Sequence, residues 1–543
     1  MLKRILFSMV TVVLVLAVSS EVLAQKKPNA NAPQGGNITY NLRVEPPTLH
    51  PIMATDASAS EVHSILLDSL AARNRETFEW EPRLAEKWEI SKDQKVFTFF
   101  LRKNAAFHDG KPITAEDVKF SFDAIFEPKY NAAHLRPYYE NIQKVEVVDP
   151  FTVRFTIKNL YFQNFDVAAG ISVIPKHIYS DVEKSRKMTK EVVGSGPYTI
   201  SRFDKGQRMV LKKFDKWYGN TDTALKGIYI FQTITYRFVK EENVYLEMLK
   251  RGDLDYEDLN AEQFMKKTEG APFGTKVLKM QVQNSTGKGY RFVGWNQRND
   301  LFKNRDVRVA LAHLMNRKEM NEKFRYNMSD LATGPTDLAS DFSSPNVKAL
   351  EFSPQKAQEL LKKAGWADSN KDGILDKKIG GKQVDFKFSL IHANKDNEKY
   401  FTFYKEDLRK AGVDMEVKYL EWNSFLKMLD DGKFEAVALA WTTGVDWDPK
   451  QIWHSSSATA GGSNFIGYKN SAVDKLIEQA RIEMDRKKRI PMLRKVYEAI
   501  ANDAPYVFMF NEKFSFYAHN IRVDKPVDTF KYGIGTDYWW VKP

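Results

Sequence analysis

The stretch 384–441 alternates between strand-like and helix-like patterns of apolar residues. In order, these patterns predict strand, helix, strand, helix and strand over residues 384–390, 398–411, 413–419, 422–429 and 434–441. The last segment is almost entirely apolar, which is typical of a parallel sheet that is covered by helices on both faces. We therefore predict an α/β fold. Ligands of such sheets bind beyond the carboxyl ends of the strands, so the loop 442–449 is expected to border a binding site.

Shorter patterns elsewhere predict single elements. Residues 114–117 (T-A-E-D) have the form of a capping box and predict the start of a helix. A second helix is expected between Pro354 and Gly365, with Ser353 as its N-cap. Residues 145–157, interrupted by an Asp-Pro pair, are typical of a β-hairpin.

The first residues have the layout of an export signal. Lys3 and Arg4 precede an apolar stretch over residues 5–18, which is shorter than the ~18–20 residues that span a bilayer. We predict a signal peptide of residues 1–24, with an N-terminal membrane anchor as the alternative. A flexible polar lead-in over residues 25–36 is expected to follow. Since no cysteine can carry a lipid, we expect an exported protein that is not a lipoprotein and has no membrane span after signal removal.

Composition narrows the classes of function. The chain has 543 residues, with 82 Lys and Arg against 70 Asp and Glu, a formal net charge of +12 and no cysteine. The lack of cysteine excludes disulfides, zinc ribbons and thiol catalysis. The basic residues are spread along the chain, so we interpret the charge as a solvated surface and expect no nucleic-acid partner. The motifs HExxH, GxSxG, GxxxxGK[ST] and GxGxxG do not occur, and we expect a protein that is not an enzyme.

One segment has the oxygen spacing of a calcium loop. Ligands at positions 1, 3, 5, 7 and 9 of that loop would come from Asp368, Asn370, Asp372, Ile374 and Asp376. The last position of the loop, normally a bidentate glutamate, is an isoleucine. A glycine-containing polar turn between a helix and a strand explains the same residues without a metal. A structural calcium and a metal-free turn therefore both stay open, and no other cofactor is expected.

The sequence resembles a known receptor family over nearly its whole length. The longest matching run is 80–121, which includes W-E-P-R-L-A-E-K-W-E-I and F-H-D-G-K-P-I-T-A-E-D-V-K-F-S. Shorter matches are 194–198 (G-S-G-P-Y), 304–310, 446–449 (D-W-D-P) and 464–468 (N-F-I-G-Y). In their order these runs resemble the family 5 extracellular solute-binding proteins, the peptide- and nickel-binding receptors of bacterial ABC importers.

This resemblance implies the large, three-domain variant of the type II periplasmic binding protein fold, with two lobes hinged around a ligand cleft. Domain I would comprise residues 37–66, 193–290 and 505–543, domain II residues 67–192, and domain III residues 291–504. Two crossings between domains I and III, near 288–293 and 503–507, would form the hinge. The ligand favours the closed form only through contacts that the open form lacks.

The resemblance also implies where a peptide would bind. In peptide receptors of this family the ligand lies as an extra strand between two protein segments, so main-chain hydrogen bonds supply affinity without strong sequence preference. The matching residues are Thr55, Asp56 and Ala57 in domain I, and Trp422, Ala440, Trp441, Thr442, Thr443 and Gly444 in domain III. Asp446 is the candidate that binds the α-ammonium of the peptide, and support of its own loop is the alternative role.

Two departures from the family pattern bear on ligand length. Dipeptide receptors hold the ligand carboxylate with an arginine near the end of the strand that carries Leu390, but this chain has Ile391 and His392 there. The usual Leu-Asp-Pro is also replaced by L-H-P at residues 49–51. We therefore favour longer peptides, or another solute, over a dipeptide.

The leading interpretation is a monomeric periplasmic receptor that delivers a peptide-like solute, an oligopeptide, to an inner-membrane ABC permease. A receptor for a nickel chelate or an oligosaccharide on the same fold is the first alternative. A secreted hydrolase is the alternative of a different class. Trp422, Trp441 and Trp447 cluster around the predicted strand ends, where aromatic rings suit ligand side chains.

Overall fold

The computed structural model describes residues 27–132, 134–459 and 461–543. The predicted signal peptide, residues 1–24, lies outside the described residues. Within the described part of the chain, none of the helices has the length and apolar character that a bilayer crossing requires.

The strands, numbered along the chain, are β1 Asn37–Asn41, β2 Ala71–Arg73, β3 Trp80–Pro82, β4 Ala85–Ile90, β5 Val96–Leu101, β6 Ile142–Asp149, β7 Thr152–Ile157, β8 Tyr198–Asp204, β9 Arg208–Lys213, β10 Thr233–Arg237, β11 Tyr256–Leu259, β12 Val277–Val282, β13 Tyr290–Trp295, β14 Ser329–Leu331, β15 Asp376–Ile379, β16 Lys382–Asp385, β17 Lys387–His392, β18 Asp414–Tyr419, β19 Ala436–Trp441, β20 Tyr506–Glu512, β21 Ser515–Asn520, β22 Val523–Asp524 and β23 Trp540–Val541.

The α-helices are α1 Ala57–Leu66, α2 Ala115–Phe126, α3 Arg136–Tyr139, α4 Asn164–Ala169, α5 Lys176–Tyr179, α6 Val182–Ser185, α7 Glu242–Arg251, α8 Arg305–His313, α9 Arg317–Arg325, α10 Pro354–Lys363, α11 Glu398–Lys410, α12 Trp422–Asp430, α13 Lys450–Trp453, α14 Ser471–Ile482 and α15 Arg486–Asp503. The predicted capping box at the start of α2, the N-cap of α10 and the hairpin β6–β7 are confirmed.

Three larger sheets organise the chain. A seven-stranded sheet has the order β12-β21-β11-β1-β10-β9-β8, a six-stranded sheet the order β14-β20-β13-β19-β17-β18, and a four-stranded sheet the order β4-β5-β7-β6. In the six-stranded sheet β17 pairs in parallel with both β18 and β19, as the apolar pattern predicted. The sheet as a whole is mixed, because β13 runs antiparallel to β19 and β20. The predicted strand 384–390 also divides at Phe386, with β16 pairing in a separate hairpin.

The hydrophobic cores divide the molecule into two lobes. One cluster of buried residues joins Leu49 and Val62 to Tyr130 and Tyr179, so the predicted domains I and II share a core. Two other clusters contain only residues between 290 and 510. We call residues 37–282 together with 515–541 the first lobe, and residues 290–512 the second lobe. Since none of these clusters contains buried residues of both lobes, each lobe has its own interior.

The chain crosses between the lobes twice. The first crossing lies at 283–289, between β12 in the seven-stranded sheet and β13 in the six-stranded sheet. The second lies at 513–514, because β20 pairs with β13 and β14 whereas β21 pairs with β11 and β12. The strand pairing thus moves this crossing beyond the predicted 503–507, and it assigns 506–512 to the second lobe although the predicted domain I segment was 505–543.

The polar lead-in packs against the first lobe within its described part. Ala32 is buried beside Ile230 and Trp540, and the Gly35 amide donates to the carbonyl of Ile230 at 2.8 Å. The prediction of a flexible segment over 25–36 therefore does not hold for the residues around Ala32 and Gly35. Ala32 packs into an apolar recess, and Gly35 forms a hydrogen bond with the carbonyl of Ile230.

His50 stands where the family resemblance implies an aspartate, and it lies in the first lobe where the predicted domains I and II meet. Its ring is fully buried between Tyr130 and Tyr179, with ring centroids 5.3 and 5.5 Å away. Nδ1 accepts a hydrogen bond from the Ile52 amide at 3.2 Å, and Nε2 has no hydrogen-bond partner among the described residues. Burial, and to a smaller extent the charge of His63, lowers the pKa of His50 to about 4.

We expect this histidine to make the fold sensitive to acid. Because its pKa falls from 6.5 to about 4 on folding, the unfolded chain binds the proton first, and stability is lost as pH falls from about 6.5 to about 4. The shift corresponds to about 3 kcal/mol in the free energy of unfolding. Chemical denaturation across this pH range should show a shallower acid slope for His50→Gln than for the wild type. Equal slopes for the two proteins would contradict the prediction.

An aromatic loop of the first lobe contacts the second lobe. The hydroxyl of Tyr161 donates to Asp448 at 2.8 Å, and the Phe162 amide donates to the carbonyl of Arg481 at 3.0 Å. The guanidinium groups of Arg481 and Arg489 lie over the rings of Tyr161 and Phe162, at 4.2 and 4.0 Å. We call these five residues the clasp. It joins the lobes by polar and cation–π contacts rather than by a shared core.

Removal of the Phe162 ring from the clasp should favour the form in which the lobes are open. Phe162→Ala is expected to raise the radius of gyration of the unliganded protein in small-angle scattering, since the buried ring beneath Arg489 is lost. Tyr161→Phe loses one hydrogen bond only and should have the smaller effect. An unchanged scattering profile for Phe162→Ala, with its melting temperature retained, would show that the clasp does not hold the lobes together.

Candidate ligand cleft

One edge of the six-stranded sheet meets the crossings. β17, β18, β19 and β20 run in the same direction, because β17 is parallel to β18 and β19, and β13 is antiparallel to both β19 and β20. Their carboxyl ends therefore lie together with the amino end of β13, which follows directly from the crossing 283–289. Strand carboxyl ends are where ligands of α/β sheets bind, so this edge is the expected site.

The main chain of β19 has an unoccupied side near that edge. All six residues of β19 pair with β13 on one side, from Ala436 opposite Trp295 to Trp441 opposite Tyr290. On the other side only Ala436 and Val437 pair with β17. Among the described strands, none pairs with residues 438–441 on that side. This stretch can accept one further strand.

A cavity of about 290 Å³ lies beside the open stretch. It is lined by Ala438, Leu439 and Ala440 of β19 and by Arg291, Phe292, His392, Ala393, Asn394, Asn397, Tyr400, Phe401, Trp422, Met509 and Phe510. We call it the second-lobe pocket. Its apolar walls with a few convergent polar groups are typical of small-molecule sites.

His392 lines this pocket and has a buried, unpartnered ring nitrogen. The side chain is 1% exposed, and its Nδ1 lies 3.1 Å from the carbonyl oxygen of Asn394. Nε2 has no hydrogen-bond partner among the described residues. Burial lowers the pKa of His392, so the neutral ring is favoured. A buried polar atom without a partner is costly, and a ligand group could supply the missing hydrogen bond.

Arg291 places a cation in the second-lobe pocket, which His392 also lines. The family pattern implied an arginine at the end of β17, where this chain has Ile391 and His392 instead. Arg291 stands directly opposite Ala440 in the β13–β19 register. Its guanidinium donates to Asn397 Oδ1 at 3.3 Å and lies 3.7 Å from Glu512, which is also paired with Arg325. With 37% of its side chain exposed, Arg291 retains donors for a ligand. Arg291 was not predicted, because the family pattern places the arginine on β17. It is the single charged residue in the otherwise apolar run 290–295, and that position is the signal that could have identified it.

Of the three tryptophans predicted near the strand ends, one lines the second-lobe pocket and two pack against other aromatic side chains. Trp422 is 52% exposed, lines the second-lobe pocket and stacks on Phe425. Trp441 instead stacks on Phe465, with ring centroids 5.7 Å apart, and Trp447 is buried against Tyr497. Of the three rings, Trp422 is the one that the structure leaves accessible in the pocket.

The predicted segment 442–444 follows the first crossing closely. A Cβ atom at Gly289, whose φ is +79°, would overlap the carbonyl oxygen of Trp441, and one at Gly287 would overlap that of Thr443. These two glycines let the crossing lie flush against the end of β19. Thr442 and Gly444 are exposed, and Thr443 Oγ1 is buried without a hydrogen-bond partner in the described structure.

Asp446 is paired within the second lobe. Its Oδ1 lies 3.2 Å from Arg486 Nε and 3.7 Å from Arg489, and its side chain is 10% exposed. Asp448 in the same loop is held by Arg481 at 3.0 Å. These ion pairs agree with the alternative role of Asp446, in which it supports its own loop. Binding of a ligand ammonium by Asp446 stays a prediction.

The predicted segment of the first lobe forms the start of α1. Asp56 is the N-cap, and its carboxylate accepts the Ala59 amide at 2.9 Å and the Ser58 hydroxyl. Ala57 is exposed, and Thr55 lines a second cavity that is described below. The carboxylate of Asp56 is therefore engaged in capping, whereas Thr55 lines a cavity.

In the predicted calcium loop, the acidic groups accept hydrogen bonds from the turn itself. Asp368 accepts the amides of Asp372 and Gly373, both at 3.1 Å, and Asp372 accepts that of Ile374 at 2.8 Å. Asp376 accepts the Ser369 amide at 2.9 Å. The part of the chain that the structure describes contains no group of three or more His, Cys, Asp or Glu side chains placed to hold a metal ion. Structural calcium at this turn stays a prediction.

Comparisons with known proteins agree with this geometry. The oligopeptide-binding protein AppA of Bacillus subtilis (strain 168) is 26% identical over 573 aligned residues, which cover 99% of each chain. Its solved structure, in complex with a nonapeptide, has a TM-score of 0.77 and covers 94% of this chain and 100% of that one. NikZ from Campylobacter jejuni in complex with Ni(L-His) has a TM-score of 0.75 at 22% identity, over 93% of this chain and 99% of that one, and thus shares the fold.

The family profile described as bacterial extracellular solute-binding proteins, family 5 Middle, matches residues 79–463. This range includes β4 to β19 and therefore both the four-stranded sheet and most of the second-lobe pocket. Together with the two lobes and the open strand edge, it shows that the chain belongs to the family 5 extracellular solute-binding proteins of bacteria.

Proposed function

We propose that this protein is an exported receptor that captures an oligopeptide between its two lobes and delivers it to an ABC importer. The observation that carries the proposal is the open main-chain stretch 438–441 beside the second-lobe pocket. Only a ligand with its own chain of amide donors and acceptors can pair along such a stretch. Family membership supports the solute-binding role, and the peptide is the finer part of the proposal.

The pocket supplies contacts for a peptide end. A ligand strand that pairs with residues 438–441 runs past Ala440, which stands opposite Arg291. The guanidinium can then hold a carboxylate through paired N–H donors, and His392 Nε2 can complete the hydrogen bonding. Trp422 offers an exposed ring against which a side chain can pack. Residues at the other end of the ligand would contact the first lobe near Thr55.

Delivery requires an open and a closed form. The lobes can separate without opening their cores, because the chain crosses between them only twice and the clasp and the Lys399–Glu262 ion pair are polar contacts. A peptide that contacts both lobes favours the closed form by its differential affinity. An inner-membrane permease is the proposed partner, and the predicted signal peptide would bring the receptor to the periplasm.

Native mass spectrometry of the purified protein tests the solute class directly. We expect a set of small peptides to be released on denaturation, because a closed receptor retains its ligand through purification. Release of a single metal chelate or sugar, or failure to bind any member of a peptide library, would contradict the proposal that the solute is a peptide. The solute-binding role that the family implies would not be affected.

The role of Arg291 is tested by a charge-neutral variant. Arg291→Gln should weaken binding of a peptide with a free carboxyl terminus by about tenfold or more, since a charge-assisted pair is lost. Binding of the C-terminally amidated peptide should change little. Isothermal titration calorimetry measures both, with Arg409→Gln, an exposed position on α11, as the matched control. Equal losses for the two peptides would assign Arg291 to packing.

A further inference from the structure

A second cavity lies entirely within the first lobe. Its volume is about 570 Å³, roughly twice that of the second-lobe pocket, and none of its lining residues comes from the second lobe. It is bounded by the end of α1, by β2 and by the 537–538 segment near the carboxyl terminus. We call it the first-lobe cavity. Because it belongs to one lobe, its walls are present whether the lobes are open or closed.

Three arginines line this cavity, and two of them are already paired. Arg73 forms an ion pair with Asp166 at 2.5 Å and lies over the Trp80 ring at 4.1 Å. Arg75 forms an ion pair with Asp537 at 3.0 Å. These two cations are held in place by their carboxylate partners, whose negative charges offset theirs.

Arg83 is the unpaired cation. Its guanidinium donates to the carbonyl of Pro82 at 3.1 Å, and no carboxylate of the described residues lies within ion-pair distance of it. Asp68, an acidic residue of the lining, accepts the hydroxyl of Tyr218 at 2.5 Å and the Ser69 amide at 3.0 Å. Burial opposes the charge of Arg83, but Asp68, beyond ion-pair distance, favours that charge and raises the pKa of the guanidinium. An arginine fork without a direct carboxylate partner can bind a planar anion.

The remaining walls suit an organic ligand. Trp217, Tyr229 and Tyr538 supply aromatic surface, and His63 and His134 line the side towards α1. Burial lowers the pKa of both histidines, so neutral rings are favoured there. Thr55 and Pro51 also line the cavity, which connects it to the segment of the first lobe that is expected to contact the ligand strand.

We infer that the first-lobe cavity binds a carboxylate carried by the solute, such as a glutamate or aspartate side chain, with Arg83 as its ion-pair partner. The inference rests on the proposed function in that the solute is taken to be a peptide that reaches Thr55. The receptor then prefers acidic peptides. Arg73 and Arg75 stay paired with Asp166 and Asp537 and leave Arg83 as the cation that meets the solute carboxylate.

Paired peptides test the preference. Alanine pentapeptides that carry Glu at one position are compared by calorimetry with peptides that carry Gln there, for each position in turn. We expect the Glu peptide to bind about tenfold more tightly at one position at least, and Arg83→Gln to remove that difference while the Gln peptides keep their affinity. Arg83→Lys, which retains charge without the planar fork, should have an intermediate effect, and Arg409→Gln is the matched control.

A second probe separates this inference from the proposed function. Glutarate should raise the melting temperature of the wild type and of Arg409→Gln but not that of Arg83→Gln. If no pentapeptide binds, the peptide proposal fails and the glutarate response alone decides the assignment of the cavity. An Arg83-dependent response to either probe supports the assignment. The absence of both, in an Arg83→Gln protein that melts as cooperatively as the wild type, overturns it.

Discussion

Main-chain hydrogen bonding along both sides of β13 is the constraint on which the rest of the structure depends. This strand pairs with β19 on one side and β20 on the other, and the first crossing enters it directly. The crossing can lie flush against β19 because positions 287 and 289 are glycines. The connection between the lobes and the ligand edge of the sheet are therefore parts of one hydrogen-bonded unit. A shift of β13 would displace both together.

The distribution of apolar and polar contacts explains how such a protein can close and reopen. Apolar side chains are buried within each lobe, where their removal from water is permanent. Between the lobes, the clasp uses a tyrosine hydroxyl, a backbone amide and arginines over aromatic rings. Such contacts contribute modestly in water. The free-energy difference between the forms can then be small enough for a ligand to decide it.

Periodicity predicted the alternating strands and helices of 384–441 and helix α10, because each buries one face or is buried on both. It could not place the second crossing. The strand β20 is buried at nearly every residue and carries no mark of which sheet it joins. That choice depends on pairing with β13, more than two hundred residues earlier in the chain. Pairing between distant segments is a property of the assembled sheet, not of either segment alone.

The candidate site was predictable in its main chain and less so in its side chains. The stretch around Ala440 and the ring of Trp422, both named from the family pattern, line the second-lobe pocket, and their contact with a ligand stays a prediction. Asp446 could not be assigned from its own neighbours in sequence, because its partners Arg486 and Arg489 come from α15. Arg291 was missed for a related reason, since it reaches the pocket from an adjacent strand that runs in the opposite direction. The open stretch 438–441 also sets a limit on recognition. A strand advances about 3.3 Å per residue, so the four residues of this stretch lie beside roughly four ligand residues. Only alternate residues direct their amide and carbonyl to one side, so about two of the four can exchange main-chain hydrogen bonds with the ligand. Further residues of a longer chain would extend past the edge without adding to this ladder, and the binding energy drawn from backbone pairing would level off with chain length.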